Sequence, residues 1–236
     1  VDNTIESPVI SIVAGPTAGG TAEDYEIFYA RRALHRLKNL IGHQGLLDLL
    51  ADDIAEGNAA LREYATKSNG EIRAATTVLA VTGFTAGEFM GWLDENTDDE
   101  AIMLAAHPEH YATAARPDQT LLLVENFGSH LCSCVVAFGR GTKWAATSPE
   151  YLPEDRYPIK KIASIELEDG TPIGRVLSQF GDTEDGFSAS LSIYFPAASP
   201  EELVEHHRRH LAVEFTNWIT AAAAAHKPAV SKGRAT

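Results

Sequence analysis

An α+β fold is predicted by three features of this 236-residue chain. Helical periodicity fills its first quarter, strand after strand follows from Thr120 onward, and one long amphipathic helix closes it. The first twenty or so residues, with Pro8, Gly15, Pro16, Gly19 and Gly20, read as an irregular arm. Asp24 to about Gly42 reads as a helix with Tyr25, Phe28, Leu34, Leu37 and Leu40 among its apolar positions. Gln44 to about Thr66 reads as another, carrying Leu46, Leu47, Leu50, Ile54 and Leu61. Gly42 and Gly45 mark the break, so residues 1–68 are expected to form an arm and a helical hairpin.

Glu71–Val81 is rich in β-branched residues and reads as a strand. Thr85-Ala-Gly-Glu88 is a capping box opening a helix with Phe89, Met90, Trp92 and Leu93. The acidic Asp94–Glu100 stretch interrupts it before a short helical piece, Ala101–Ala106. The later strands are Thr120–Asn126, His130–Phe138, Ile159–Glu168, Arg175–Phe180 and Phe187–Phe195, with Gly139-Arg-Gly141 as a hairpin turn. Residues 69–228 are thus expected to form one domain, an antiparallel sheet with the last helix laid across it and a pocket between the two. Residues 229–236 are expected to be a disordered tail.

Composition excludes some function classes. A net charge of −14 argues against nucleic acid and against an anionic membrane surface, because both select basic patches. No apolar run is long enough to span a bilayer. Two cysteines, Cys132 and Cys134, are too few and too close for a disulfide framework, which predicts a reducing, cytoplasmic setting. A chain starting at Val1 is expected to have lost a leader or tag. The composition is compatible with a homo-oligomer.

The closing helix carries the chemistry. Ser199, Pro200 and Glu202 form a second start signal of the S-x-x-E type. At 100° per residue, Leu203, His207, His210, Leu211, Glu214 and Trp218 share roughly a quarter of the circumference. Imidazole and carboxylate on a core-facing stripe cost several kcal/mol each unless paired or bound to a metal. His210 and Glu214, four apart, can aim at one point, as a metal-binding helix requires. A plain His–Glu hydrogen bond on a partly wet helix satisfies the same spacing.

Three other places could share the site. His107-Pro-Glu-His110-Tyr111 concentrates polar groups at a helix end, although a solvated turn has the same composition. Glu125 interrupts the apolar Leu121-Leu-Leu-Val-Glu-Asn-Phe127 strand and shares parity with Leu121, Leu123 and Phe127, so it must be paired or a ligand. His130, Cys132 and Cys134 alternate on one strand face but span about 13 Å, too far to converge, and cysteine is common as a small core residue.

The order of these groups resembles the diacetylphloroglucinol hydrolase and phloretin hydrolase family. The residues that carry the resemblance are His107-Pro-Glu-His110, Val124-Glu125-Asn-Phe-Gly128 and His210-Leu-Ala-Val-Glu214, and it covers roughly Glu71–Ala225. It implies a helix-grip fold of the Bet v 1/START kind. It also implies Zn²⁺ held by His110, Glu125, His210 and Glu214, and hydrolysis of an acyl–aryl C–C bond in an acylated phenol or polyketide ketone. Within that reading, His207 is a candidate proton donor and Tyr111 a second catalytic candidate. Tyr111 and Tyr194 are candidates for binding phenolic hydroxyls, with Trp218 and Leu211 as walls for the ring. Ala105 and Ala106, where the family has bulkier aromatics, predict a pocket wider than one ring. The rival is a binding protein or polyketide cyclase of the same fold, which needs no metal.

Overall fold

The computed structural model describes residues 12–15 and 19–226; the expected tail and much of the expected arm lie outside them. The chain divides into two compact units, Val1–Gly42 and His43–Thr236. The first contains most of α1 (Ala22–Leu49). Thr21 and Asp24 start that helix reciprocally, with Thr21 N donating to Asp24 Oδ2 at 2.7 Å and Asp24 N donating to Thr21 Oγ1 at 3.1 Å. The break at Gly42 is where the glycine predicted it: φ 75° and ψ 168° are non-helical and favour a residue without Cβ.

The second unit continues with α2 (Ala51–Ser68), β1 (Ile72–Thr82), α3 (Ala86–Asn96), α4 (Glu100–Ala105) and β2 (His110–Ala115). After these come β3 (Leu121–Phe127), β4 (His130–Phe138), α5 (Thr142–Ala145), β5 (Ile159–Leu167), β6 (Pro172–Asp182), β7 (Gly186–Pro196) and α6 (Glu201–His226). Among the described residues, the strands form one seven-stranded sheet ordered β1-β7-β6-β5-β4-β3-β2, with every neighbouring pair antiparallel. Helix α6 packs against β1, β3, β7 and α3. This is a helix-grip fold.

The expected domain boundary at residue 68 moves to Gly42, because α2 is built into the sheet. The last β4–β5 pair is Cys134↔Leu167, so the β4 edge at Leu131–Ser133 lacks a strand partner on that side. Asn58 Oδ1 accepts from Ser133 N at 3.1 Å there. Gly57 lies so close that a Cβ on it would stand 1.9 Å from the Leu131 carbonyl oxygen. Helix α2 thus covers an edge that would otherwise leave buried backbone groups unsatisfied.

The Thr85–Glu88 capping box forms as expected. The Ser199–Glu202 box does not: α6 begins at Glu201, and the Ser199 hydroxyl is buried without a hydrogen-bond partner among the described residues. The Gly139–Gly141 hairpin is also corrected. Both glycines have positive φ, but the chain enters α5 there and reaches β5 only at Ile159.

Candidate metal centre

Sheet and α6 enclose a cavity of about 650 Å³, walled by apolar groups such as Leu121, Leu123, Val136, Ile193, Phe215 and Trp218. His110, Glu125, His207 and Glu214 break that lining, as do the paired Asp94 and Lys161 and polar groups such as Thr113 and Ser178. Glu125 arrives by strand parity, on the same face as Leu121, Leu123 and Phe127. His110 is its direct partner on β2, just before a bulge. His210 and Glu214 come from α6, one turn apart.

The four side chains converge. His110 Nε2 stands 3.0 Å from Glu125 Oε2, 3.0 Å from His210 Nε2 and 3.5 Å from Glu214 Oε1. His210 Nε2 is 3.5 Å from Glu125 Oε2, and one donor atom from each residue lies within 4.8 Å of the others. Donors about 2.0–2.2 Å from a tetrahedral zinc ion stand about 3.3–3.6 Å from one another. Four of the six edges among these two imidazole nitrogens and two carboxylates are 3.0–3.5 Å, close to that frame, and the two others, from Glu214 to Glu125 and to His210, lie within 4.8 Å.

Hydrogen bonding sets the donor character of His110. Its Nδ1 is 3.0 Å from the Met103 carbonyl, which can only accept, so Nδ1 carries a proton and a neutral ring has its lone pair on Nε2. That lone pair faces two carboxylates and a second imidazole. Such a set is favourable only around a positive charge, either a metal or an extra proton. Without a metal, burial works against the charged ring. The hydrogen bond and charge of Glu125, with the charge of Glu214, still raise the His110 pKa to about 9. Burial likewise opposes the Glu125 carboxylate, but the facing imidazoles of His210 and His110 hold it at about 2. Burial pushes Glu214 up to about 8. It also lowers His210 well below the usual histidine value.

Neighbours fix the rings. His210 lies between His107, whose ring centroid is 3.8 Å away, and His207 at 4.9 Å, both nearly parallel to it. The stacked rings restrict the plane of His210, whose Nδ1 is buried without a hydrogen bond among the described residues. His207 sits edge-on to Phe127 and Phe195, at 5.4 and 5.0 Å. Burial lowers its pKa to about 4, so at pH 7 the ring is neutral and does not store a proton. The Asn217 amide donates to the Ala106 carbonyl at 2.6 Å, tying α6 to the segment that carries His107 and His110. Sequence reasoning missed Phe195 and Asn217; parity along β7 and helical spacing from Glu214 were the available signals.

Of the substrate candidates, Leu211 and Trp218 line the cavity as expected. Tyr111 does not. It follows His110 on the strand and packs with Val124, Leu131, Leu47, Leu50 and Ile54 in a separate cluster. Tyr194 also points away, since Ile193 is the neighbour that lines the cavity. Its hydroxyl is 2.7 Å from Ser148 Oγ and 2.8 Å from Glu150 Oε2, in a cluster with Ala145, Leu177 and Trp144. Cys132 and Cys134 belong to the core, and neither joins a metal-sized group among the described residues. Ala105 and Ala106 are absent from the cavity wall, to which α3 and α4 contribute Leu93 and Met103 beside the sheet face and α6.

No protein-family model matches the chain, and no curated protein does. Among solved structures, the crystal structure of Ara h 8.0201 is similar with a TM-score of 0.44 at 8% identity, over 65% of this chain and 99% of that one. An uncharacterized protein from Rhizobium leguminosarum gives 0.36 at 11% identity, over 65% and 97%. At these scores neither likeness carries an argument, and the helix-grip description stands on strand order and the gripped helix.

Proposed function

We propose that this chain is a zinc-dependent hydrolase that cleaves the acyl–aryl carbon–carbon bond of an acylated phenol or related polyketide ketone. The observation that supports it is the convergence of His110, Glu125, His210 and Glu214 on one point at the wall of an apolar cavity of about 650 Å³. A carrier or cyclase uses the cavity alone. It gains nothing from four buried ionisable groups, each costing several kcal/mol unless paired or metal-bound. The choice of reaction rests on the family resemblance of the three motifs.

Zinc, when bound, supplies a Lewis acid for a ketone oxygen and for water. The chain's residues do the rest. His110, Glu125, His210 and Glu214 hold the ion. Leu211, Phe215 and Trp218 present a wall to a flat ring and exclude bulk water. His207, neutral in its aromatic box, offers a hydrogen bond to a phenolic or carbonyl oxygen. Ketone and water yield a carboxylic acid and a phenol, the ring carbon taking a proton as the bond breaks.

The test incubates zinc-loaded protein with a panel of acylphenols and follows carboxylic acid release by mass spectrometry. Zinc-dependent release of acid supports the proposal. Tight binding without release favours the carrier or cyclase, and absence of both binding and release removes this substrate class.

A further inference from the structure

We infer that Gln119 reads the far end of the ligand: its side-chain amide hydrogen-bonds a neutral oxygen, a hydroxyl or carbonyl, that an elongated aryl ketone carries remote from its reactive carbonyl. This rests on the substrate class proposed above and extends it. The cavity has two polar ends. His110, Glu125 and Glu214 mark the inner one, buried or nearly so. The other is the mouth, where Asp94, Gln119 and Phe138 are exposed and Lys161 is partly exposed. The sheet sets their separation. From Glu125 to Leu121 is four residues of β3, about 13 Å, and Gln119 lies in the turn beyond Leu121. Phe138 and Lys161 continue past the Leu121↔Val136 pair in the same direction.

The backbone at Gln119 is strained. Arg116 and Thr120 close a three-residue turn between β2 and β3, with Arg116 N donating to the Thr120 carbonyl at 2.8 Å and Gln119 N to the Arg116 carbonyl at 3.0 Å. Pro117 suits the first corner of that turn, and Gln119 takes its left-handed position, φ 65°, where glycine is favoured. A side chain held in that region is a mark of ligand contacts, and this one lines the mouth. The groups beside it point to an uncharged target. Lys161 Nζ donates to Asp94 Oδ1 at 2.5 Å, so the pair brings no net charge to the rim, and Thr97 Oγ1 donates to the Leu93 carbonyl at 2.7 Å. The Gln119 amide both donates and accepts, as recognition of a hydroxyl requires.

The test titrates the zinc-loaded full chain by calorimetry with para-acetylbiphenyl and with its derivatives bearing a hydroxyl or a carboxylate at the far para position. Wild type should bind the hydroxyl probe about fivefold more tightly than the parent, the effect of one hydrogen bond, and the carboxylate no more tightly than the parent. Gln119→Met keeps the length of the side chain without its amide, and Gln119→Gly removes both. In each, the preference for the hydroxyl should vanish. Gln119→Gly should also melt at or above the wild-type temperature, by up to about 2 °C, because glycine relieves the left-handed strain. A preference that persists in either variant or is absent from wild type overturns the inference and leaves the aryl ketone class standing. Tighter binding of the carboxylate would assign the distal group to Lys161 and overturn it as well. So would a lowered melting temperature in Gln119→Gly, which would make the glutamine a structural part of the turn. A wild type that takes up no zinc, or binds none of the three probes, removes the substrate class too.

Discussion

Glu125 on β3 stands directly opposite His110 on β2, with Oε2 and Nε2 3.0 Å apart inside the sheet. Cross-strand partners on one face are held close by the ladder itself, so the sheet fixes this half of the centre. Helix α6 then adds His210 and Glu214 as a unit, one turn apart. A site assembled from two rigid elements should depend steeply on each ligand and weakly on neighbouring polar groups.

Metal content separates the two kinds of residue. Wild type should retain about one zinc per chain after dialysis against a weak chelator. His110→Ala, His210→Ala and Glu214→Ala should each lower zinc affinity more than about a hundredfold, beyond the range typical of outer-shell changes. His207→Ala should keep the metal, while turnover of any active acylphenol falls about a hundredfold on loss of its hydrogen bond to the substrate oxygen. Loss of zinc from His207→Ala would show that the roles along α6 are misassigned.

Zinc binding should release protons and strengthen as pH rises. In the metal-free protein His110 has a pKa of about 9 and Glu214 of about 8, so both hold a proton at pH 7, while Glu125, at about 2, does not. Zinc requires both protons to leave. The logarithm of its affinity should climb by about two per pH unit between pH 6 and 7, then flatten above about pH 9. Calorimetry in buffers of different ionisation enthalpy counts the protons directly. A pH-independent affinity across that range would contradict this donor set.

Much of this was legible in the sequence because it depended on period. The parity of Glu125 with Leu121, Leu123 and Phe127, and the four-residue step from His210 to Glu214, bring the ligands to one side before any packing is known. Parity would also have excluded Tyr111, since the residue after an inward His110 on a strand faces outward. Strand β2 itself was hidden: His110-Tyr-Ala-Thr-Ala-Ala115 has few β-branched residues and takes its conformation from pairing with β3. The coverage of β4 by α2 is a long-range contact that no local pattern encodes. Nor did the sequence separate His107 from His110, because the distinction lies in pairing: His110, not His107, stands opposite Glu125 across the sheet.

Gly57→Ala tests the place of α2 in the second unit. A Cβ there meets the Leu131 carbonyl oxygen at 1.9 Å, and backbone on both sides leaves little room to yield. Overpacking of this kind costs about 2–3 kcal/mol, or roughly 5–10 °C in melting temperature for a unit of this size. Thermal unfolding followed by circular dichroism measures it. A melting temperature within about 1 °C of wild type would mean that α2 does not sit on the β4 edge.

The cavity sets the size of the substrate. About 650 Å³ falls within the range of sites for drug-sized ligands and exceeds the needs of one phenolic ring. Two- or three-ring aryl ketones should therefore bind zinc-loaded protein more tightly than a one-ring acylphenol, by about tenfold for an added ring, given the apolar area it buries. Leu123→Trp projects a larger side chain from the inner face of β3 into this space, two residues before Glu125. It should leave zinc affinity unchanged, retain the one-ring compound and lose the larger ones by more than tenfold. Tyr194→Phe, whose hydroxyl is engaged by Ser148 and Glu150 away from the cavity, should alter neither class. Titrations monitored by tryptophan fluorescence, with Trp218 in the wall as reporter and Leu123→Phe as a second filling variant, resolve the affinities. Equal weakening of small and large ketones in both filling variants would show that the substrate does not occupy the space beside Leu123. A loss on Tyr194→Phe would return that tyrosine to the binding surface.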